Sequence, residues 1–199
     1  MDDEIERRLV HVSGILAPLS YWVGVFTWEQ LGYALIAGSV VVLALEVIRL
    51  VVGLDWKIYD ELTREYEQDN LAGYALYVWG VTFVALVFDP DIAIPAMLML
   101  SIGDPISGVL GSGELRAAKQ AYVLLAMFGV TLFIGVWFVP VLVAVLGAIA
   151  ATVADGVKPV IAGYVIDDNL TIPIGAAVTM YVAITYLPEP IQHLTFLPW

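Results

Sequence analysis

The chain has 199 residues, 61% hydrophobic and only 14% charged, with a mean hydropathy of +0.89. Soluble domains carry about a quarter charged residues, so the composition excludes one and predicts a single integral membrane domain over 1–199, an all-α polytopic helical bundle. A net charge of −12 argues against nucleic acid as a partner, and the absence of cysteine excludes disulfides, thiolate metal sites and a Cys nucleophile.

The chain opens M-D-D-E-I-E-R-R-L-V, which lacks the cationic start of a cleaved signal peptide, so the first apolar segment is expected to be retained. Apolar runs of about spanning length fall at 12–28, 31–53, 71–88, 92–111, 120–139, 141–155 and 170–188, which predicts about seven transmembrane helices. Pro140 interrupts the long run from Ala121 to Ala154 and reads as the turn of a helical hairpin. With the N-terminus in the cytoplasm, all eight cations (Arg7, Arg8, Arg49, Lys57, Arg64, Arg116, Lys119 and Lys158) fall on the inner side. That is the positive-inside pattern of a protein in the cell membrane. Excess carboxylate keeps a surface hydrated in strong brine, so the charge balance points to a halophilic prokaryote; equal stability in low and high salt would contradict this.

Three cytoplasmic segments remain to build a site: 54–70, 111–119 and 155–169. The stretch from Ser101 to Lys119 is the most informative, because it places Asp104 in an apolar span and follows it with glycines and two cations. An ionisable residue at membrane depth costs ~2.5–3.5 kcal/mol on insertion scales, which by default marks a functional site. Asp is a favoured N-cap and Pro105 suits a first helical position, so the fourth span is expected to break at Gly103 and restart. The structural alternative is a proline kink whose Asp104 bonds a neighbouring helix. Backbone N–H groups near Gly108, Gly111 and Gly113, with Arg116 and Lys119, suit a polyphosphate. Taken alone, the glycines are common in membrane helices and the two cations are ordinary inner-face anchors.

The third segment ends D-D-N-L-T-I-P, and Asp167 and Asp168 suit Mg²⁺, which takes one or two carboxylates plus phosphate oxygens. The alternative is helix capping, with Asp168 or Asn169 as N-cap. Asp104, Asp167 and Asp168 on one face would serve metal-assisted phosphoryl transfer. In the first loop Arg64, Glu65 and Glu67 could pair, bind phosphate, or simply line a solvated helix. Glu46 and Arg49 stand i,i+3 and could pair; His11 lies just inside the first span, and His193 lies on the outer side.

These pieces resemble the polyprenol kinase family of integral membrane enzymes, which includes dolichol and phytol kinases and shares a nucleotide-site pattern with CDP-diglyceride synthetases. Arg7-Arg8-Leu9-Val10-His11 is similar to the family's opening R-K-x-x-H, and Arg64 with Glu67 to its R-x-x-E. Gly103-Asp104, with Ser107, Gly108 and Gly111, is similar to the G-D-x-x-(A/S)-x-x-x-G core, and Asp168 to Pro173 to the D-N-L-T-I-P segment. Where the family carries K-S/T-x-E-G, this chain has Lys119 in the Lys place but Tyr122 and Val123 in the Glu and Gly places.

The resemblance implies phosphorylation of a long-chain isoprenoid alcohol by a nucleoside triphosphate, typically CTP, with Mg²⁺. It implies catalytic roles for Asp104, Asp168 and His11, and nucleotide binding by Ser107, Gly108, Gly111, Gly113, Arg116, Lys119, Arg64, Glu67 and Asn169. Asp104, Asp167 and Asp168 would hold the metal. The isoprenoid tail would enter laterally from the bilayer, in a monomer or a homo-oligomer. A cytidylyltransferase making a CDP-activated lipid, and a non-catalytic lipid-binding or transport protein, are the alternatives.

Overall fold

A computed structural model of the protein describes residues 11–53, 63, 67–68, 70–111, 119–157, 160–161 and 164–188. Arg64, Gly113 and Arg116, expected to bind nucleotide, lie outside the described residues, as do Arg7, Arg8, Lys57, Glu65, Lys158 and His193.

In lipid a segment must satisfy its backbone hydrogen bonds internally, and each predicted run contains helix. Helix α1 spans Leu16–Trp22 and gives way to a turn at Gly24, whose φ of 74° suits a residue without Cβ. Helix α2, Trp28–Val47, begins with a capping box: Thr27 accepts from the Gln30 N–H and the Gln30 side chain accepts from the Thr27 N–H. It widens into a π-turn, Ile48–Val52, and stops at Gly53. Helix α3 is Gly73–Val87, α4 is Pro90–Leu98, and α5 is Asp104–Leu110. Helices α6, Ala121–Gly135, and α7, Val141–Gly156, form the expected hairpin, with Pro140 as N-cap of α7. A small antiparallel ladder follows, β1 (Val160–Ile161) on β2 (Tyr164–Val165), pairing Val160 with Val165 and Ile161 with Tyr164. Helix α8, Asp168–Tyr186, completes the described chain.

Among the described residues three helical rods are long and apolar enough to cross a membrane: Trp28–Val52, Pro90–Leu110 and Asp168–Tyr186. Helices α3, α6 and α7 are shorter, at 15, 15 and 16 residues. A 15-residue helix reaches about 22 Å, against a hydrocarbon core of about 30 Å. The seven apolar runs therefore become helices of unequal reach, and α1 has only 7 residues.

Burial ranks the rods. The Pro90–Leu110 rod is 67% buried and forms the axis of the bundle, whereas Trp28–Val52 is 11% buried and lies at the periphery. Met97, Met99 and Leu100 from the axis meet Met127 of α6, Val143 of α7 and Ile172 and Met180 of α8 in the core. Lipid offers no hydrophobic drive between helices, so close approach and polar links set the packing. Ser39 and Thr82 hydroxyls, 2.9 Å apart, link α2 to α3. At Gly80 a Cβ would lie 2.9 Å from the Asn169 carbonyl oxygen, so α3 meets the start of α8 almost backbone to backbone.

The Pro90–Leu110 rod corrects one expectation. Gly103 (φ −65°, ψ −50°) and Asp104 (φ −61°, ψ −47°) are both helical, so the span does not break there. Instead Met99–Gly103 forms a π-turn that runs straight into α5. Pro105 cannot donate to the ladder and its ring crowds the carbonyl four residues back; the wider turn absorbs this without unravelling the helix. Asp104 is therefore not an N-cap, and its side chain projects from within a continuous rod.

Candidate functional site

Three carboxylates meet at one end of the bundle, each from a different helix. Asp104 opens α5 directly after the π-turn, Asp155 sits in the last turn of α7, and Asp168 in the first turn of α8. One oxygen of each lies within 4.8 Å of the others. Asp155 and Asp168 are buried, at 0% and 2% exposure. Two ionised carboxylates at that separation repel by about 3–4 kcal/mol at an effective dielectric of about 20. Such a group stays fully ionised only with positive charge beside it.

Part of that charge comes from Lys119. Its Nζ donates to Asp155 Oδ1 at 2.6 Å and to Ser107 Oγ at 2.9 Å, and Ser107 Oγ donates to Asp155 Oδ2 at 2.7 Å. The strand of chain before α6 is fixed by the Lys119 N–H to Gly156 carbonyl bond, 3.2 Å, which brings the ammonium to the end of α7. One ammonium among three carboxylates leaves room for a divalent cation. Opposite ligands around Mg²⁺ at about 2.1 Å stand about 4.2 Å apart, so the observed spread needs only small side-chain adjustment. The hard-oxygen donor set fits Mg²⁺.

Asp104 is also held from the other side. His11 Nδ1 lies 2.9 Å from Asp104 Oδ2, with the proton assigned to Nδ1 as that contact requires. The imidazole rests against the Tyr77 ring at 4.9 Å between centroids, and the Tyr77 hydroxyl and Ser101 Oγ are 2.6 Å apart. His11 thus has one nitrogen engaged and its ring plane fixed, an arrangement suited to proton transfer at Nε2.

The remaining sequence-derived residues fall as follows. Asp167 is the N-cap of α8, accepting from the Asn169 N–H at 2.9 Å, and lies outside the carboxylate trio. Asp168 and Asn169 are helical first-turn residues rather than caps, and Asn169 Oδ1 is a buried oxygen with no hydrogen-bond partner among the described residues. Glu67 is buried, with Oε2 accepting from the Gly73 N–H at 3.2 Å. Gly108 lies inside α5, and Gly111 ends it in extended geometry with its N–H given to the Ser107 carbonyl at 2.9 Å. The donors at these two glycines therefore belong to the helix and not to an anion cradle.

Set against known proteins, one relationship stands out. The chain is similar to a CTP-dependent lipid kinase. It is 25% identical over 220 residues to CTP-dependent diacylglycerol kinase 1 of Eremothecium gossypii, covering 92% of this chain and 68% of that protein. No family model and no solved structure matches the chain. The motif resemblance to polyprenol kinases is thus met at a coarser level: the relative is a CTP-dependent kinase, and its name specifies diacylglycerol rather than an isoprenoid alcohol.

Asp155 is the residue that sequence reading missed. It stands where the apolar run 141–155 meets the cytoplasmic segment 155–169, and no motif in the sequence singles it out within that segment. A signal was present: a carboxylate in the last turn of a helix opposes the helix dipole, so its presence there implies a partner. Tyr77 and Ser101, the residues that seat His11, read from sequence as ordinary helix positions.

Proposed function

We propose that the chain is a CTP-dependent membrane lipid kinase, transferring the γ-phosphoryl group of CTP to a lipid hydroxyl at the cytoplasmic face. The observation that carries this reading is the convergence of Asp104, Asp155 and Asp168 beside Lys119 and His11 at one end of an apolar bundle. Similarity to a CTP-dependent diacylglycerol kinase supports the donor and the reaction class.

Asp104, Asp155 and Asp168 would hold Mg²⁺, which when bound neutralises phosphate charge. Lys119 has three N–H groups, two of them given to Asp155 and Ser107, so the third is available to a phosphate oxygen. His11, fixed by Asp104, would receive the lipid hydroxyl proton at Nε2 as the hydroxyl oxygen bonds to the γ-phosphorus. The bond from that phosphorus to the bridging oxygen breaks and CDP leaves. Positioning and charge neutralisation supply most of the catalysis in such a transfer.

The motifs favour a long-chain isoprenoid alcohol as acceptor, while the relative favours diacylglycerol. The bundle is proposed to cross the membrane about seven times with its N-terminus in the cytoplasm, the arrangement that gathers every cation on the site's side. The deciding experiment supplies purified protein with CTP labelled at the γ-phosphate, Mg²⁺, and either an isoprenoid alcohol or diacylglycerol. Label in the lipid supports the kinase; release of labelled pyrophosphate with a CDP-lipid product would instead establish a cytidylyltransferase, and no product in either channel sinks both.

A further inference from the structure

The Trp28–Val52 rod carries a charged pair that takes no direct part in the phosphoryl transfer described above. Glu46 and Arg49 stand near the end of an otherwise apolar helix, with side chains only 2% and 7% exposed. A buried ion pair gains little stability over a hydrophobic replacement, because both charges lose their hydration. What it supplies is geometry.

All five guanidinium N–H groups of Arg49 are engaged. Nε donates to Glu46 Oε1 at 3.0 Å and Nη2 to Glu46 Oε2 at 2.7 Å. Nη1 donates to the carbonyls of Glu67 and Gln68, both at 3.0 Å, and Nη2 also to that of Asn70 at 2.5 Å. Glu46 in turn accepts from the Ala72 N–H at 3.1 Å and from the Tyr74 hydroxyl. One ion pair therefore ties down the approach to α3 at five points.

Within that fixed stretch the Glu67 carboxylate folds back on the Gly73 N–H. A Cβ at Gly73 would sit 2.9 Å from Asn169 Nδ2 and 3.4 Å from Glu67 Oε1. Gly73 is the gap through which Glu67 and Asn169 approach each other, and Asn169 is the chain neighbour of Asp168.

We infer that Glu46 and Arg49 are positioning residues that hold Glu67 against the Asp168–Asn169 corner and so shape the nucleoside end of the donor site. A carboxylate repels phosphate and accepts from amino and hydroxyl groups, so Glu67 faces the base or ribose while Lys119 faces the phosphates. The identity of this ligand rests on the kinase reading; the clamp itself does not.

Lysine cannot replace Arg49, since an ammonium lacks the planar fork that grips a carboxylate and carbonyls together. The test compares wild type with Arg49→Lys and Glu46→Gln in nanodiscs, by amide hydrogen exchange and by steady-state kinetics with CTP. Exchange over 67–74 is expected to quicken about tenfold or more while α7 and α8 stay protected. KM for CTP is expected to rise about tenfold or more with kcat within about twofold. Unchanged exchange overturns the clamp, whatever the activity. Faster exchange with unchanged KM overturns the positioning role. If the wild type neither binds nor turns over CTP, the kinase reading fails together with the ligand assigned to Glu67, and exchange still decides the clamp. Should the single variants not fold, Glu46→Leu combined with Arg49→Met removes both charges and is read in the same way.

Discussion

Asp155 occupies the least favourable place for a carboxylate in its helix, buried and against the dipole, which costs about 0.3–1 kcal/mol even at a surface. Lys119 and Ser107 offset that cost in the folded chain, and the same contacts aim one carboxylate oxygen at each of them. Asp155→Asn should therefore do two things at once: lower kcat/KM by about 10²–10³-fold and raise the Mg²⁺ concentration needed for half-maximal rate. Initial rates over a Mg²⁺ series check both, and a normal Mg²⁺ dependence would remove Asp155 from the metal set. His11→Gln should separate from it cleanly. Loss of a general base should lower kcat by about 10²–10⁴-fold and leave KM for CTP near the wild-type value. A large KM effect would instead indicate that His11 supports the nucleotide.

Elements, rather than single residues, set the distances in this site. The π-turn Met99–Gly103 lets the Pro90–Leu110 rod pass Pro105 without breaking and turns Asp104 towards His11, the end of α7 and the start of α8. Helix α8 can bring Asp168 and Asn169 in only because Gly80 lets α3 approach its first turn. Gly80→Val inserts side-chain atoms where a Cβ alone would be 2.9 Å from the Asn169 carbonyl and 3.4 Å from the Leu170 Cα. Overpacking of this kind costs about 1–3 kcal/mol. The variant should unfold at lower temperature in detergent and should lose more activity than that drop in stability explains. Thermal unfolding measured beside turnover at low temperature distinguishes this from simple misfolding, and full activity in the folded fraction would show that the α3–α8 contact does not set the site.

For the molecule as a whole, charge and topology agree. The described cations Arg49 and Lys119 both lie at the site's end of the bundle, and the turns around Asp89 and Pro140 at the opposite ends of the rods carry no Lys or Arg. The chain has no cysteine, so single introduced thiols report without background. Asp89→Cys should react with an impermeant maleimide on intact cells, whereas Gln120→Cys should react only after the cells are opened. The reverse pattern would place the site on the outer face and remove CTP as a plausible donor, since the nucleotide pool is inside.

The apolar helical bundle, its helical hairpin at Pro140 and the choice of Asp104, Lys119 and Asp168 as polar residues worth locating in the fold were legible in the sequence alone. They follow from apolar run length, from proline's missing donor and from the cost of charge in lipid, all of which are local quantities. Tertiary structure decided which carboxylates meet. Asp167 and Asp168 are adjacent in the chain, yet helical geometry makes one a cap and sends the other to the trio. Asp155 joins from a helix end that sequence spacing could not relate to Asp104, because that distance depends on how α7 packs beside the central rod. The same reason hid the role of Glu46 and Arg49: as neighbours on one helix they read as a simple pair, and only the fold lays the backbone groups of Glu67, Gln68, Asn70 and Ala72 against them.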